Sequence, residues 1–172
     1  MTTKEYRSMS DKIRTRPRLV KAVSAIDKTL TLICYIAYPA LLLWLLYTGD
    51  ARFLRALLVP AISFAAVTIA RARINAARPY EVLDIEPLIK KDTEGRSFPS
   101  RHAFSVFVIA VTFFWFSPPA GIALGCVGAL LAWIRVVGGV HFPRDVLAGG
   151  AIGMLCGIFG YGLLHIPFPI SF

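Results

Sequence analysis

The chain has 172 residues, 56% of them hydrophobic and only 17% charged, with 19 Lys and Arg against 10 Asp and Glu. A mean hydropathy of +0.64 excludes a disordered chain and argues against a water-soluble domain, in which about a quarter of the residues carry charge. The predicted class is all-α, a polytopic membrane helix bundle with lipid as its main solvent.

In chain order, residues 1–28 form a basic segment containing Lys12, Arg14, Arg16, Arg18 and Lys21, a composition suited to lying against anionic lipid head groups. The expected partners of this charge are membrane lipids, not nucleic acid. Residues 29–172 are expected to form one membrane-embedded domain. A spanning helix needs about 20 mostly apolar residues, and five stretches approach that length: 29–48, 53–70, 102–117, 120–134 and 146–164. The Ser117-Pro118-Pro119 break separates the third from the fourth, because the helical hydrogen-bond ladder does not run intact through two prolines; a tight helical hairpin is predicted there. Pro39 and Pro60 fall inside spans and are tolerated as kinks. Cys34, Cys126 and Cys156 sit in apolar runs without disulfide or metal-ligand spacing and read as small buried hydrophobes. The aromatic run at 113–116 reads as an interfacial belt, and His165 has no partner in the sequence.

Two polar tracts remain, 71–101 and 135–145. Threading five spans through a bilayer puts both on one face, where they gather Arg71, Arg78, Ser100, His102, Arg135, His141 and Asp145. Three guanidiniums around a common point suit a tetrahedral dianion, since each offers a planar pair of donors to phosphate oxygens. Ser100 after Pro99 is a good N-cap, and Pro143 fits the first turn of the last span, so two helix N-termini are expected to aim N–H groups at the same pocket. Asp145 lies four residues after His141, placed to hold one ring nitrogen protonated and leave the other as a nucleophile. His102 then serves as general acid toward the leaving alkoxide and as base toward water. No residue cluster reads as a metal site and no cofactor is expected; the route implied is a metal-independent one through phosphohistidine. Residues 81–96 read as a lid or a short interfacial helix over the pocket.

The three segments Arg71-x6-Arg78-Pro79, Pro99-Ser100-Arg101-His102 and Arg135-x5-His141-x3-Asp145 resemble, in order and spacing, the type 2 phosphatidic acid phosphatase superfamily. Its pattern is Lys-x6-Arg-Pro, Pro-Ser-Gly-His and Ser-Arg-x5-His-x3-Asp. The resemblance implies phosphate contacts from Arg71, Arg78, Ser100 and Arg135, acid and base work by His102, nucleophilic attack by His141 and orientation by Asp145. Arg71 stands where the family has Lys, Arg101 where it has Gly and Ile134 where it has Ser. Arg101 is expected to narrow the pocket or to add a fourth phosphate-binding cation.

The function expected is removal of the terminal phosphate from a lipid phosphate, with phosphatidylglycerol phosphate or phosphatidic acid favoured. The alternatives are a polyprenyl (undecaprenyl) diphosphate phosphatase and a non-catalytic binder of anionic lipid. Lys and Arg number eight in residues 1–28, seven in 71–101 and two in 135–145, against Arg52 and Arg55 on the opposite side. Because loops kept in the cytoplasm are enriched in these residues, the site is predicted on the cytoplasmic face of the cell membrane. Oligomeric state is not legible.

Overall fold

The computed structural model of the protein describes residues 1–90 and 93–162, so His165 and the end of the last predicted span lie outside the described residues. Thr2 opens α1 (Thr3–Arg14) with a reciprocal cap, its hydroxyl accepting the Glu5 N–H at 3.3 Å while its own N–H donates to the Glu5 carboxylate at 2.7 Å. Pro17 occupies the first turn of α2 (Pro17–Tyr47), where a missing N–H costs nothing. This helix starts twelve residues before the predicted span. Its buried stripe of Val23, Asp27, Leu30 and Cys34 follows helical spacing straight across residue 28, and the charges that marked a polar tract, Arg18, Lys21 and Lys28, simply face outward.

After a turn at 48–52 the chain returns as α3 (Phe53–Ile74), which runs past the predicted end and carries Arg71 on its last turn before Asn75 closes it in a left-handed conformation at φ 42°. A single helical turn, α4 (Pro79–Val82), precedes the loop to α5 (Arg101–Phe116). As predicted, the diproline ends one helix and starts another: the Ser117 N–H donates to the Phe113 carbonyl at 2.7 Å, and α6 (Pro118–Val137) begins at once. The last helix, α7, runs Pro143–Gly162.

Four of these helices, α2, α3, α6 and α7, are long and apolar enough to cross a membrane, whereas α5 has 16 residues. At 1.5 Å per residue α5 is about 24 Å long, less than the hydrocarbon thickness. It needs no further length because it is the centre of the bundle, packed against α6 and α7. Small residues set that packing. A Cβ at Gly149, Gly153 or Gly157 of α7 would fall 2.3 Å from the Ser100 carbonyl oxygen, 2.5 Å from that of Phe104 and 2.7 Å from Val111, so the glycines let two backbones touch, as membrane helices do. Outward-facing Leu43, Ile62, Ile122, Trp133, Leu147 and Ile158 are exposed, which is stable only where lipid replaces water. The chain is a multi-pass membrane bundle.

Two expectations are corrected in detail. Cys34 is buried, but Cys126 is exposed on the outer surface and Cys156 only half-buried; in lipid an apolar thiol has no need of a protein core. Among the described residues of 81–96, helix is limited to the end of α4 at Val82, and the segment is not a free lid. Leu88 and Ile89 are buried and donate their N–H groups to the Gly138 carbonyl at 3.0 and 3.3 Å. From outside, α1 straps the loop down, Arg7 reaching the Asp84 carboxylate at 2.8 Å and Arg14 that of Glu86 at 2.6 Å. Tyr6 of α1 is fully buried against Gly139, where φ is +75° and a Cβ would meet the tyrosine oxygen at 2.4 Å. The amino-terminal helix and the two polar tracts therefore share one end of the bundle.

Candidate active site

The helix ends place the polar residues. Arg71 is on the last turn of α3, Arg78 immediately precedes α4, Ser100 to His102 open α5, Arg135 is on the last turn of α6, and His141 and Asp145 flank the start of α7. Arg71, Arg78, Ser100, Arg135, His141 and Asp145 are all buried. A hydrogen bond from the Ser100 N–H to the Asp145 carbonyl, at 2.8 Å, locks the start of α5 to the first turn of α7. The guanidiniums of Arg78, Arg96 and Arg101 and the carboxylate of Asp145 lie within electrostatic reach of Arg71, and the guanidiniums of Arg78 and Arg135 within reach of His141.

His141 sits in the two-residue approach to α7, with its ring almost wholly enclosed. Its Nδ1 is 3.8 Å from Asp145 Oδ2, an ion-pair distance and too long for a hydrogen bond. Ser97 closes the gap: its hydroxyl donates to Asp145 Oδ2 at 2.6 Å and lies 3.4 Å from His141 Nδ1. The same carboxylate oxygen accepts the Phe142 N–H at 3.0 Å. Asp145 is thus held from two sides, facing Nδ1 and leaving Nε2 on the far edge of the ring. Burial pushes the His141 imidazole down to about 4, against the opposing pull of Asp145, so the ring is neutral at pH 7 and carries a lone pair.

The arginines are anchored in a common way. Arg71 donates from Nε to the Arg96 carbonyl, and Arg78 from Nε to the Gly95 carbonyl at 3.0 Å. Arg135 turns the same edge to a carboxylate: its Nε is 2.7 Å from Asp27 Oδ1, and its Nη2 donates to Asp27 Oδ2 at 3.2 Å. Glu81 stiffens the loop, accepting the Arg78 N–H with one oxygen and the Gly95 N–H with the other at 2.7 Å. Gly95 is needed there, with φ +60° and the Asn75 side chain where a Cβ would stand.

Ser100 holds the N-cap position of α5, as expected, yet its hydroxyl makes no capping bond and is buried without a hydrogen-bond partner among the described residues. Arg101 is half-buried, its guanidinium 5.5 Å over the Phe64 ring. With His102 it lines a cavity of about 160 Å³ that descends along Ser105, Val106 and Ile109 of α5, bounded by Thr31 and Tyr35 of α2. Ile134 is a buried member of a cluster with Val23, Ile89 and Val140, where a hydroxyl would lack a use. Asp27 and Ser97 were not among the residues picked from the sequence.

A family model for the PAP2 superfamily matches residues 52–166, the region that holds all three motifs. The chain belongs to the PAP2 superfamily. Among curated PAP2-like relatives, the undecaprenyl-diphosphatase of Sulfolobus acidocaldarius is 38% identical over 77 residues, 44% of this chain and 37% of that protein. The matched stretch is thus well under half the length of that relative. The fold of LpxE from Aquifex aeolicus superposes with a TM-score of 0.73 at 24% identity, covering 93% of this chain and 94% of that one. A transmembrane PAP2-type phosphatidylglycerolphosphate phosphatase from Bacillus subtilis superposes at 0.66, also 24% identical, covering 93% and 84%. Both likenesses speak to the PAP2 helix arrangement.

Proposed function

We propose that the protein hydrolyses a lipid phosphate at this site, through a phosphohistidine formed on His141. The observation that carries the reading is the buried Ser97–Asp145–His141 arrangement set among anchored arginines. Binding an anion needs the cations alone; an oriented, neutral imidazole has a use only as nucleophile or base. In the first step His141 Nε2 attacks phosphorus, the phosphorus–oxygen bond to the lipid breaks, and His102 gives its proton to the departing oxygen. In the second, His102 takes a proton from water, the hydroxide displaces His141 and inorganic phosphate leaves. Arg71, Arg78 and Arg135, with Arg101 at the mouth and the Ser100 hydroxyl, hold the equatorial oxygens, where charge grows in the transition state. A cationic site of this kind supplies the charge a metal would otherwise supply, so the reaction is expected to run without one.

The cavity lined by Arg101 and His102 is also lined by Phe64, Val106, Ile109 and Leu131, apolar side chains that suit a lipid chain beside a reacting head group. The excess of Lys and Arg on this face supports a cytoplasmic site and an inner-leaflet substrate such as phosphatidylglycerol phosphate or phosphatidic acid. The likeness to an undecaprenyl-diphosphatase supports a second reading, a polyprenyl diphosphate. Phosphate release by the purified protein in detergent with EDTA, across these three lipids, is the test. Release from one of them is expected, and none from any would end the enzymatic reading. A cysteine placed at Thr93 is expected to stay unlabelled by an impermeant maleimide added to intact cells.

A further inference from the structure

Asp27 lies on α2, outside the region matched by the superfamily, and nothing in the three motifs predicts it. It stands on the inward stripe of α2, its carboxylate one-tenth exposed, against an Arg135 side chain that is 3% exposed. A buried ion pair of this kind is not a stability device in itself, because desolvation of both charges offsets most of their attraction. Its geometry points elsewhere. Asp27 faces the Nε–Nη2 edge of the guanidinium, in ion-pair contact with Nε at 2.7 Å and accepting a hydrogen bond from Nη2 at 3.2 Å. Nη1, on the opposite edge, is buried with no hydrogen-bond partner among the described residues, and Nε is held by the ion pair and not by an aligned hydrogen bond. Arg71 and Arg78 are held at the same Nε position by the carbonyls of Arg96 and Gly95. Three arginines are thus pinned alike, and for the third, on α6, no loop carbonyl takes that place; a carboxylate from α2 does.

We infer that Asp27 is a positioning residue: it clamps one edge of Arg135 so that the opposite Nη1–Nη2 edge is presented, preformed, to the substrate phosphate. A planar fork gains two-point recognition only when its plane is fixed, and fixing it before binding removes that ordering cost from the binding step. The inference rests on the reading of Arg135 as a phosphate ligand.

Orthovanadate is the probe, titrated calorimetrically against the detergent-purified full chain, with the thermal midpoint of each variant measured beside it. Wild type is expected to bind. Asp27→Asn, close to isosteric, is expected to weaken binding about tenfold or more at temperatures where it stays folded. In an Arg135→Lys background, itself weakened, the same change is expected to cost less than about twofold, since the clamp has nothing left to hold. A purely structural Asp27 would shift the midpoint and leave vanadate affinity alone. Wild-type affinity in folded Asp27→Asn, with affinity lost in Arg135→Lys, overturns the inference and spares the phosphate reading. Wild-type protein that binds no vanadate removes both. If Asp27→Asn does not fold, Asp27→Glu carries the test: it keeps the charge but moves the clamp by one methylene, and a several-fold loss is expected where unchanged affinity refutes positioning.

Discussion

The two ends of the bundle treat arginine in opposite ways. At the end away from the site, Arg52 pairs with Asp50 two residues before it, at 2.6 Å, and lies 4.5 Å over the Phe116 ring; its side chain is 48% exposed. The charge is cancelled by a neighbour in its own turn. At the site end Arg71, Arg78 and Arg135 are buried and are held by groups 25, 17 and 108 residues away. Asp50 takes the same Nε–Nη2 edge of Arg52 that Asp27 takes of Arg135; what differs is that the site-end guanidiniums are buried and held from distant parts of the chain. Burial with anchoring makes a receptor for an anion, and exposure with local pairing makes a tidy turn.

Substitutions on the two ends should separate cleanly. The largest effect is expected from His141→Ala, which removes the proposed nucleophile: turnover should fall by at least about 10⁴-fold, with the protein still extracted as a folded species. Asp145→Asn should cost about 10²–10⁴-fold, as in other oriented imidazoles. Ser97→Ala should cost less, on the order of tenfold, because the backbone bond from Phe142 still holds the carboxylate; both are read as initial phosphate-release rates. Arg52→Ala at the far end should leave turnover unchanged and shift stability by less than about 1 kcal/mol. A large catalytic loss there would dissolve the contrast.

Acid also distinguishes the ends. His141 has a folded-state value near 4 against the ordinary 6.5, held down by burial. Between those values the unfolded chain binds the extra proton, so this residue's contribution to stability is complete above about pH 6.5 and is lost as pH falls toward 4. Thermal midpoints measured from pH 8 to 4 should decline more steeply in wild type than in His141→Ala, and parallel curves would contradict the buried neutral ring.

The sequence revealed those features that combine a residue type with a spacing. The diproline break, the helix starts at Ser100 and Pro143, and the triplet of Arg135, His141 and Asp145 were all visible, because helix geometry converts their spacing into position. Ser97 was not, since a serine in a loop two residues before Pro99 looks like any turn residue, and only the docking of that loop against α7 brings it to Asp145. Nor were the Gly95 and Arg96 carbonyls, which every residue possesses. Asp27 had a faint signal. It shares helical spacing with Val23, Leu30 and Cys34, so a carboxylate on an otherwise apolar stripe marks a partnered charge, but its charged neighbours made the segment read as surface.

Whether His141 carries the phosphoryl group is the central question, and trapping answers it. Rapid denaturing quench of the purified protein turning over a ³²P-labelled lipid phosphate, followed by peptide mapping at alkaline pH, is expected to show label on His141. The adduct should be stable to base, labile to acid and absent from His141→Ala. Steady turnover in which no label is ever found on that residue, or undiminished label and turnover in His141→Ala, would contradict it.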